Sequence, residues 1–260
     1  MRVHGESIGE IDRYIENFGR EELNAKIPAF ERLIRYLEKV RKIDSDTRIL
    51  EIGTGTGWFP ILCQLNGLRC QGLDISPHLI EAAVKIGKRH GVVLDIGLGN
   101  VEVDPLGVEK YDAIVASSIF EHIEAWRPAL ANVYGALRPG GALFFESTNK
   151  YMLNSRSGEF PQFPFYGWLP DRARYQLRKV THGKDVMKLG IDFHQFTYPQ
   201  LRRAFRETGF RKILDVIDLL DMEGRKGIER RALAAAKSFR PMRRLVLTFL
   251  VDATTFVCQK

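Results

Sequence analysis

The chain is poor in cysteine: Cys63, Cys70 and Cys258 form no C-x-x-C pair, and each lies in an apolar run. This argues against a disulfide framework or a thiolate metal site and for buried free thiols. Long apolar runs are also missing. No stretch reaches membrane-spanning length and Met1 to Glu10 holds no signal-peptide core, so the expectation is a cytoplasmic protein. No internal repeat or low-complexity tract interrupts the 260 residues, a length that suits one α/β domain with a cap or two small domains. Negative charge is the scarcer sign. The net charge of +7 favours acidic surfaces such as membrane headgroups, anionic substrates or nucleic acid. The excess gathers at residues 225–244, where Arg225, Lys226, Arg230, Arg231, Lys237, Arg240, Arg243 and Arg244 face Glu229 alone, with Ile228, Leu233, Ala234 and Ala235 between them. A solvated basic helix face and a peripheral contact with a membrane surface both fit that stretch. No RNA-binding signature of paired aromatics on strands is present, so nucleic acid is not an expected partner.

Against these absences stands one rich segment, Ile49-Leu-Glu-Ile-Gly-Thr-Gly-Thr-Gly57. A short apolar strand carries an acid, Glu51, three alternating glycines follow, and a helical pattern starts at once. About twenty residues on, a second strand ends in another acid, Asp74. This arrangement predicts a nucleoside-binding crevice at the carboxyl ends of parallel strands. Glycine lets such a loop adopt positive φ and approach a ligand closely. A dinucleotide fold asks for G-x-G-x-x-G, but here the third glycine comes one residue early and Trp58 takes its place. The loop also lacks the G-K-[S/T] of a phosphate-gripping P-loop.

Strand and helix then alternate. Strands are expected at Thr47–Ile52, Arg69–Asp74, Val92–Leu98, Tyr111–Ser117, Ala142–Ser147, Phe210–Leu219 and Thr254–Gln259. Helices are expected at Trp58–Leu65, Pro77–His90 (Ser76 as cap, Gly91 as stop), Pro128–Leu137, Tyr198–Thr208 and Ile228–Phe239, with Leu245–Leu250 helix or strand. Apolar strands in strict turn with helices imply a parallel sheet covered on both faces. Two helices precede it, Ile8–Phe18 and Glu21–Val40, the second containing Pro28. The expected organisation is a helical cap over 1–44 and a ligand-binding domain over 45–260. Residues 151–195 form an insertion after the fifth strand, where Phe160, Phe163, Phe165, Tyr166 and Trp168 crowd between Pro161, Pro164 and Pro170. That density of proline excludes a long helix, and the position suits a substrate lid.

The E-x-G-x-G-x-G pattern with Asp74 after the second strand resembles the class I S-adenosylmethionine (SAM) methyltransferases. The resemblance implies a seven-stranded, mostly parallel Rossmann-like sheet with an antiparallel hairpin edge. It implies SAM as cofactor, with the glycine loop against its methionine half and Asp74 on the ribose hydroxyls. An ionised carboxylate suits that role, because it only accepts and can hold two donors. Asn100 stands where the family often has an acid for the adenine amino group, and its amide oxygen can accept the same hydrogen bond. Glu51, Gly53, Thr54, Gly55, Gly57, Asp74, Ile75, Asn100, Val101 and Ser117 make up the expected cofactor set. Three further segments, Ser117-Ser-Ile-Phe-Glu-His-Ile123, Arg138-Pro-Gly-Gly141 and Ser147-Thr-Asn-Lys150, resemble the O-methyltransferases of ubiquinone biosynthesis and their relatives. This second likeness covers about 45–150 and again His194–Phe210.

Methyl transfer from a sulfonium is an in-line displacement, so the protein must position the acceptor and remove its proton. His122, with an unperturbed pKa near neutrality, is the candidate base, and Glu121 is the candidate catalytic neighbour. His182 and His194 are alternatives. Some quinone-pathway relatives carry E-x-x-E-H, which suggests a divalent metal. Here Ser118 replaces the first Glu, and no metal is expected. The expected activity is O-methylation of a small or lipid-linked acceptor, a quinone-precursor-like phenol or a glycan hydroxyl. N- or C-methylation, a SAM-binding scaffold without turnover, and a nicotinamide dehydrogenase remain as alternatives, and the oligomeric state stays open.

Overall fold

The computed structural model describes residue 15 and residues 23–153, 165–182, 194–224 and 226–260. Among them, seven strands form one sheet: β1 (Arg48–Ile52), β2 (Arg69–Asp74), β3 (Asp95–Leu98), β4 (Tyr111–Ser117), β5 (Leu137–Thr148), β6 (Lys212–Asp215) and β7 (Ala253–Gln259). Their spatial order is β3-β2-β1-β4-β5-β7-β6. The first five pair in parallel, and β7 pairs antiparallel with both β5 and β6. This is the mostly parallel sheet with an antiparallel edge that the family resemblance implies.

The helices are α1 (Leu23–Glu38), α2 (Trp58–Leu65), α3 (Pro77–Arg89), α4 (Trp126–Ala136), α5 (Asp171–His182), α6 (Tyr198–Thr208), α7 (Val216–Leu219), α8 (Gly227–Ser238) and α9 (Arg240–Phe249). Successive side chains on a strand point to opposite faces, and the two faces bury separate cores. Leu50, Ile52, Ile114, Leu143, Phe145 and Phe256 pack with α4 and α6. Ile49, Ala113, Val115, Phe144 and Val257 pack with α1 and α2. The helix predicted at Glu21–Val40 is α1; it keeps Pro28 inside, near its start, and buries Phe30, Leu33, Tyr36 and Leu37. The helix expected at Ile8–Phe18 lies outside the described residues except for Ile15, as do Phe160, Pro161, Phe163 and Pro164 of the insertion.

Several boundaries differ from expectation for local reasons. The third strand begins at Asp95 instead of Val92, because the Val92 amide closes the end of α3 by donating to the Gly87 carbonyl. The sixth strand stops at Asp215 instead of Leu219. The Asp215 carboxylate caps the next turn, accepting from the amides of Ile217 and Asp218, so 216–219 are helical. The fifth strand takes in Arg138-Pro-Gly-Gly141 and reaches back to Leu137, with a register shift opposite Tyr111 and Ala113. Of Leu245–Leu250, residues 245–249 are helical, the end of α9, and Leu250 caps it. Ser76 caps α3 with Pro77 at its start, as read from the sequence. All three cysteines are free thiols, Cys63 and Cys258 buried and Cys70 half-buried.

Candidate active site

Strand order reverses between β1 and β4, and in such sheets ligands bind outside the carboxyl ends at that switch point. The loop 53–57 and the segment after Ser117 meet there. Gly53, Gly55 and Gly57 have φ of 71°, 55° and 81°, a region that only glycine enters at no steric cost. Close packing adds a second demand at two of them. A Cβ on Gly53 would sit 2.6 Å from the Ile119 side chain, and one on Gly57 would sit 2.9 Å from that of Ala83. Ile119 is a residue that the sequence reading missed. Ser118, beside it, holds φ of 52°, an uncommon conformation for a residue with a side chain.

The acids of β1 and β2 reach the same loop. Asp74 is buried, and its carboxylate accepts from the amides of Gly55 at 2.8 Å and Ser76 at 2.9 Å. Burial raises its pKa, and the backbone donors partly offset the rise. The amides of Gly53 and Thr54 both donate to the Leu73 carbonyl, which fixes the loop over the end of β2. Glu51 is 4 % exposed and its Oε2 has no hydrogen-bond partner among the described residues. Burial, with Cys70 and Asp74 nearby, pushes its carboxyl well above the usual range. An unpartnered buried carboxyl oxygen is costly unless a donor or cation completes it. Thr54 is buried, and Ile75 half-buried beside Asp74. Asn100 takes an Asx turn, its Oδ1 accepting from the Glu102 amide at 2.9 Å, while buried Val101 packs into the core.

Two further acids stand after β4 and in β5, on opposite faces of the sheet. Glu121, in the 3₁₀ turn Phe120–His122, is buried and accepts the Ser147 hydroxyl proton at 2.7 Å. Burial lifts its carboxyl to about 7, against the lowering effect of that hydrogen bond. Ser147 shares the face of Phe145, so Glu121 sits on the α4 and α6 side. His122 is half-buried in the same turn. His194 closes over this side: its amide donates to the Glu121 carbonyl at 3.1 Å, its Nε2 lies 3.0 Å from the Glu124 carbonyl, and its ring meets Trp126 and Phe196. The side chain of His182 lies outside the described residues.

Glu146, which the sequence reading did not select, lies on the α1 face. Register puts Ser117, Glu146 and Thr255 side by side on β4, β5 and β7. The Ser117 hydroxyl donates to Glu146 Oε1 at 3.3 Å and the Thr255 hydroxyl to Oε2 at 3.1 Å. The Glu146 charge is felt by Tyr36 of α1, whose pKa burial raises. Two residues along the same face, Thr148 Oγ1 is buried without a hydrogen-bond partner among the described residues. No group of three His, Cys, Asp or Glu side chains that could hold a metal comes together among the described residues. A cavity of about 460 Å³ opens at the other end of the sheet, lined by Arg48, Arg69, Lys110 and Tyr111 among others, away from these acids.

A doubly wound sheet with a glycine loop and acids at its switch point defines a Rossmann-like nucleoside-binding protein. Residues 24–216 match the methyltransferase domain family, and the chain belongs to that family as a SAM-dependent methyltransferase. Its cofactor is SAM. It is 21 % identical over 183 residues to a ubiquinone biosynthesis O-methyltransferase of Coxiella burnetii, covering 70 % of each chain. It is 28 % identical over 208 residues to highly reducing polyketide synthase 40 of Fusarium mangiferae, covering 74 % of this chain and 8 % of that one. Its fold superposes on a SAM-dependent methyltransferase from Mesorhizobium loti with a TM-score of 0.58 and 18 % identity, covering 92 % of this chain and 100 % of that one.

The residues present fit the cofactor. SAM carries a sulfonium, an ammonium and two ribose hydroxyls, and this end of the sheet offers an unpartnered buried carboxyl oxygen on Glu51, a glycine loop and the Asp74 carboxylate. Among the described residues no helix is long and apolar enough to cross a membrane.

Proposed function

We propose that the protein methylates an oxygen of a small or lipid-linked acceptor, a quinone-precursor-like phenol or a glycan hydroxyl. Bound SAM supplies an electrophilic methyl group on a sulfonium. Glu51, Gly53, Thr54, Gly55 and Gly57 hold its methionine half, Asp74 and Ile75 its ribose, Asn100 and Val101 its adenine, and Ser117 borders it on the acceptor side. An acceptor oxygen held in line with that methyl group would have to give up its proton as it is methylated, and this chain's residues would position it and receive that proton. His122 takes that proton, and Glu121 is its catalytic neighbour. The observation that carries this reading is the position of His122, half-buried in the turn that follows β4 at the ligand end of the sheet and next in the chain to the buried Glu121 that holds Ser147. A neutral hydroxyl needs a proton acceptor poised near working pH. Glu146, held by the Ser117 and Thr255 hydroxyls and felt by Tyr36, stands at the same strand ends on the α1 face, across the sheet from Glu121. Helix α1, the described helix of the expected 1–44 cap, packs on that face, and the described part of the 151–195 insertion serves as part of the lid. A peripheral membrane contact through the basic C-terminal region suits a lipid-linked acceptor, and the setting is the cytoplasm.

Calorimetric titration with SAM, S-adenosylhomocysteine and NAD tests the cofactor site, with binding of the first two and not of NAD expected. An acceptor screen of quinols, catechols and lipid-linked sugars then tests the reaction, with His122→Ala as control. Loss of turnover in that variant supports hydroxyl methylation. A second reading is transfer to a nitrogen or a carbon. An acceptor that is already nucleophilic needs no base, and His122→Ala would then be nearly silent.

A further inference from the structure

We infer that the outward face of α9, joined to the aromatic cluster that follows β5, docks on an anionic lipid bilayer. Helix α9 turns Arg243 and Leu247 inward; Leu247 is buried with Ile217, Leu233 and Ala236. The opposite face carries Pro241, Leu245 and Phe249 at i, i+4 and i+8, with Met242 beside them. Leu245 is 54 % exposed and Met242 42 %. The crest does not end with the helix. Phe249 meets Trp168 at 5.9 Å, and Trp168 meets Phe165 at 5.6 Å and Tyr151 at 5.3 Å. Trp168 and Phe165 are themselves 40 % and 48 % exposed. The Leu153 amide donates to the Phe249 carbonyl, which adds exposed Leu153 and Leu250 to the same patch. Single exposed apolar residues need no explanation, but a contiguous crest of this kind marks an interaction surface.

Charge names the partner. Exposed Arg240 and Arg244 run along one flank of α9, exposed Arg230 and Arg231 stand on α8, and exposed Lys226 caps the start of α8. Lys150 lies over the Tyr151 ring at 5.9 Å. Glu229 is the sole acid in α8 and α9. An apolar stripe edged by arginines, with Trp and Tyr at its end, fits the headgroup region of a bilayer containing acidic lipids.

The crest is also held at a fixed place. Arg243 donates to the carboxylates of Asp215, buried at the end of β6, and Asp218. The Asn149 side-chain amide, just past β5, donates to the carbonyls of Leu247, Thr248 and Val251. The crest therefore sits at the carboxyl end of β5, the end that carries Glu146, and docking would turn that end toward the membrane. Only this use of the surface, to meet an acceptor arriving in lipid, rests on the proposed function.

The test is sedimentation of the whole chain with phosphatidylcholine vesicles and with vesicles of phosphatidylcholine and phosphatidylglycerol, without any acceptor. Binding to the anionic vesicles, weak binding to the neutral ones and release by salt are expected. Leu245→Asp with Trp168→Ser, and separately Arg240→Glu with Arg244→Glu, should each weaken binding about tenfold or more. The charge-reversal pair changes only exposed side chains, so it serves if the crest variant fails to fold. SAM affinity, measured alongside, should stay at the wild-type value in both. Absence of wild-type binding to anionic vesicles, or wild-type binding by both variants, overturns the inference. So does a wild-type dimer, without vesicle affinity, that Leu245→Asp converts to monomer. Failure of the wild type to bind SAM would sink the methyltransferase site and leave the vesicle result standing.

Discussion

The two halves of the sheet build their ends by different means. At β1 and β2 the ligand end is made of backbone: three glycines in left-handed geometry, amides of Gly53 and Thr54 closing on Leu73, and two acids brought in by neighbouring strands. At β4, β5 and β7 it is made of side chains in registered rows, Ser117–Glu146–Thr255 on one face and Glu121–Ser147 on the other. A backbone site tolerates little variation because its shape is the chain itself. A side-chain site can change its chemistry while the strands stay put. The first half suits a fixed cofactor and the second a variable acceptor.

The largest expected effect belongs to the side-chain half. The Glu121 carboxyl titrates at about 7 in the fold and at its ordinary 4.5 when exposed. The fold binds that proton more tightly, so the stability linked to it is complete below about pH 4.5 and is lost as pH rises through about 7, a total of about 3 kcal/mol. Glu121→Gln keeps a neutral acceptor for Ser147. The variant should match wild type in denaturant unfolding near pH 5 and exceed it by up to about 3 kcal/mol at pH 8. Glu51, also raised by burial, contributes the same sign and leaves both proteins a residual slope. Parallel wild-type and variant profiles would mean that Glu121 ionises freely.

The backbone half should break next. Gly53→Ala places a Cβ at φ of 71° and within 2.6 Å of Ile119, and should cost about 2 kcal/mol in unfolding free energy. Adding Ile119→Ala removes the collision but not the backbone strain, so recovery should be partial. Full recovery would show that the loop needs room and not glycine's conformation.

These halves were unequally legible. The glycine loop, Asp74 and the Ser76 cap are short-range features whose meaning lies in adjacent residues. Glu146 reads as one polar residue in the apolar strand Ala-Leu-Phe-Phe-Glu-Ser-Thr, and its partners lie 29 and 109 positions away. Asp215 was hidden in a predicted strand because its function as a cap depends on Asp218 and its charge is met by Arg243, 28 positions on. Arg243 itself read as one more cation of a basic face, although tertiary packing turns it inward. The amphipathic repeat of α9 was ambiguous because ten residues barely distinguish helix from strand when both faces carry apolar groups.

Asp74→Ala sharpens the contrast from the cofactor side. If Asp74 takes the ribose hydroxyls, as proposed, its loss should weaken SAM and S-adenosylhomocysteine equally, by about 1.5–3 kcal/mol. The same change frees the Gly55 and Ser76 amides, so Asp74→Asn, which keeps one acceptor oxygen, should fall between. Unchanged affinity in the alanine variant would sink the ribose assignment.

Thr255→Val carries the smallest effect and the cleanest contrast. Thr255 lies on β7, three strands from β1 and its glycine loop, and its hydroxyl is one of two that donate to Glu146. Valine keeps the shape and the β-branch, so the strand pairing should hold. The Glu146 carboxylate then loses one donor in a half-buried setting, a loss of about 1 kcal/mol. If the two halves act separately, SAM affinity stays at the wild-type value while acceptor KM or turnover shifts by roughly fivefold, the rate equivalent of that energy. A matching loss of SAM affinity would mean that the row across β4, β5 and β7 supports the cofactor as well, and that the division between a backbone site and a side-chain site runs through Ser117 instead of beside it.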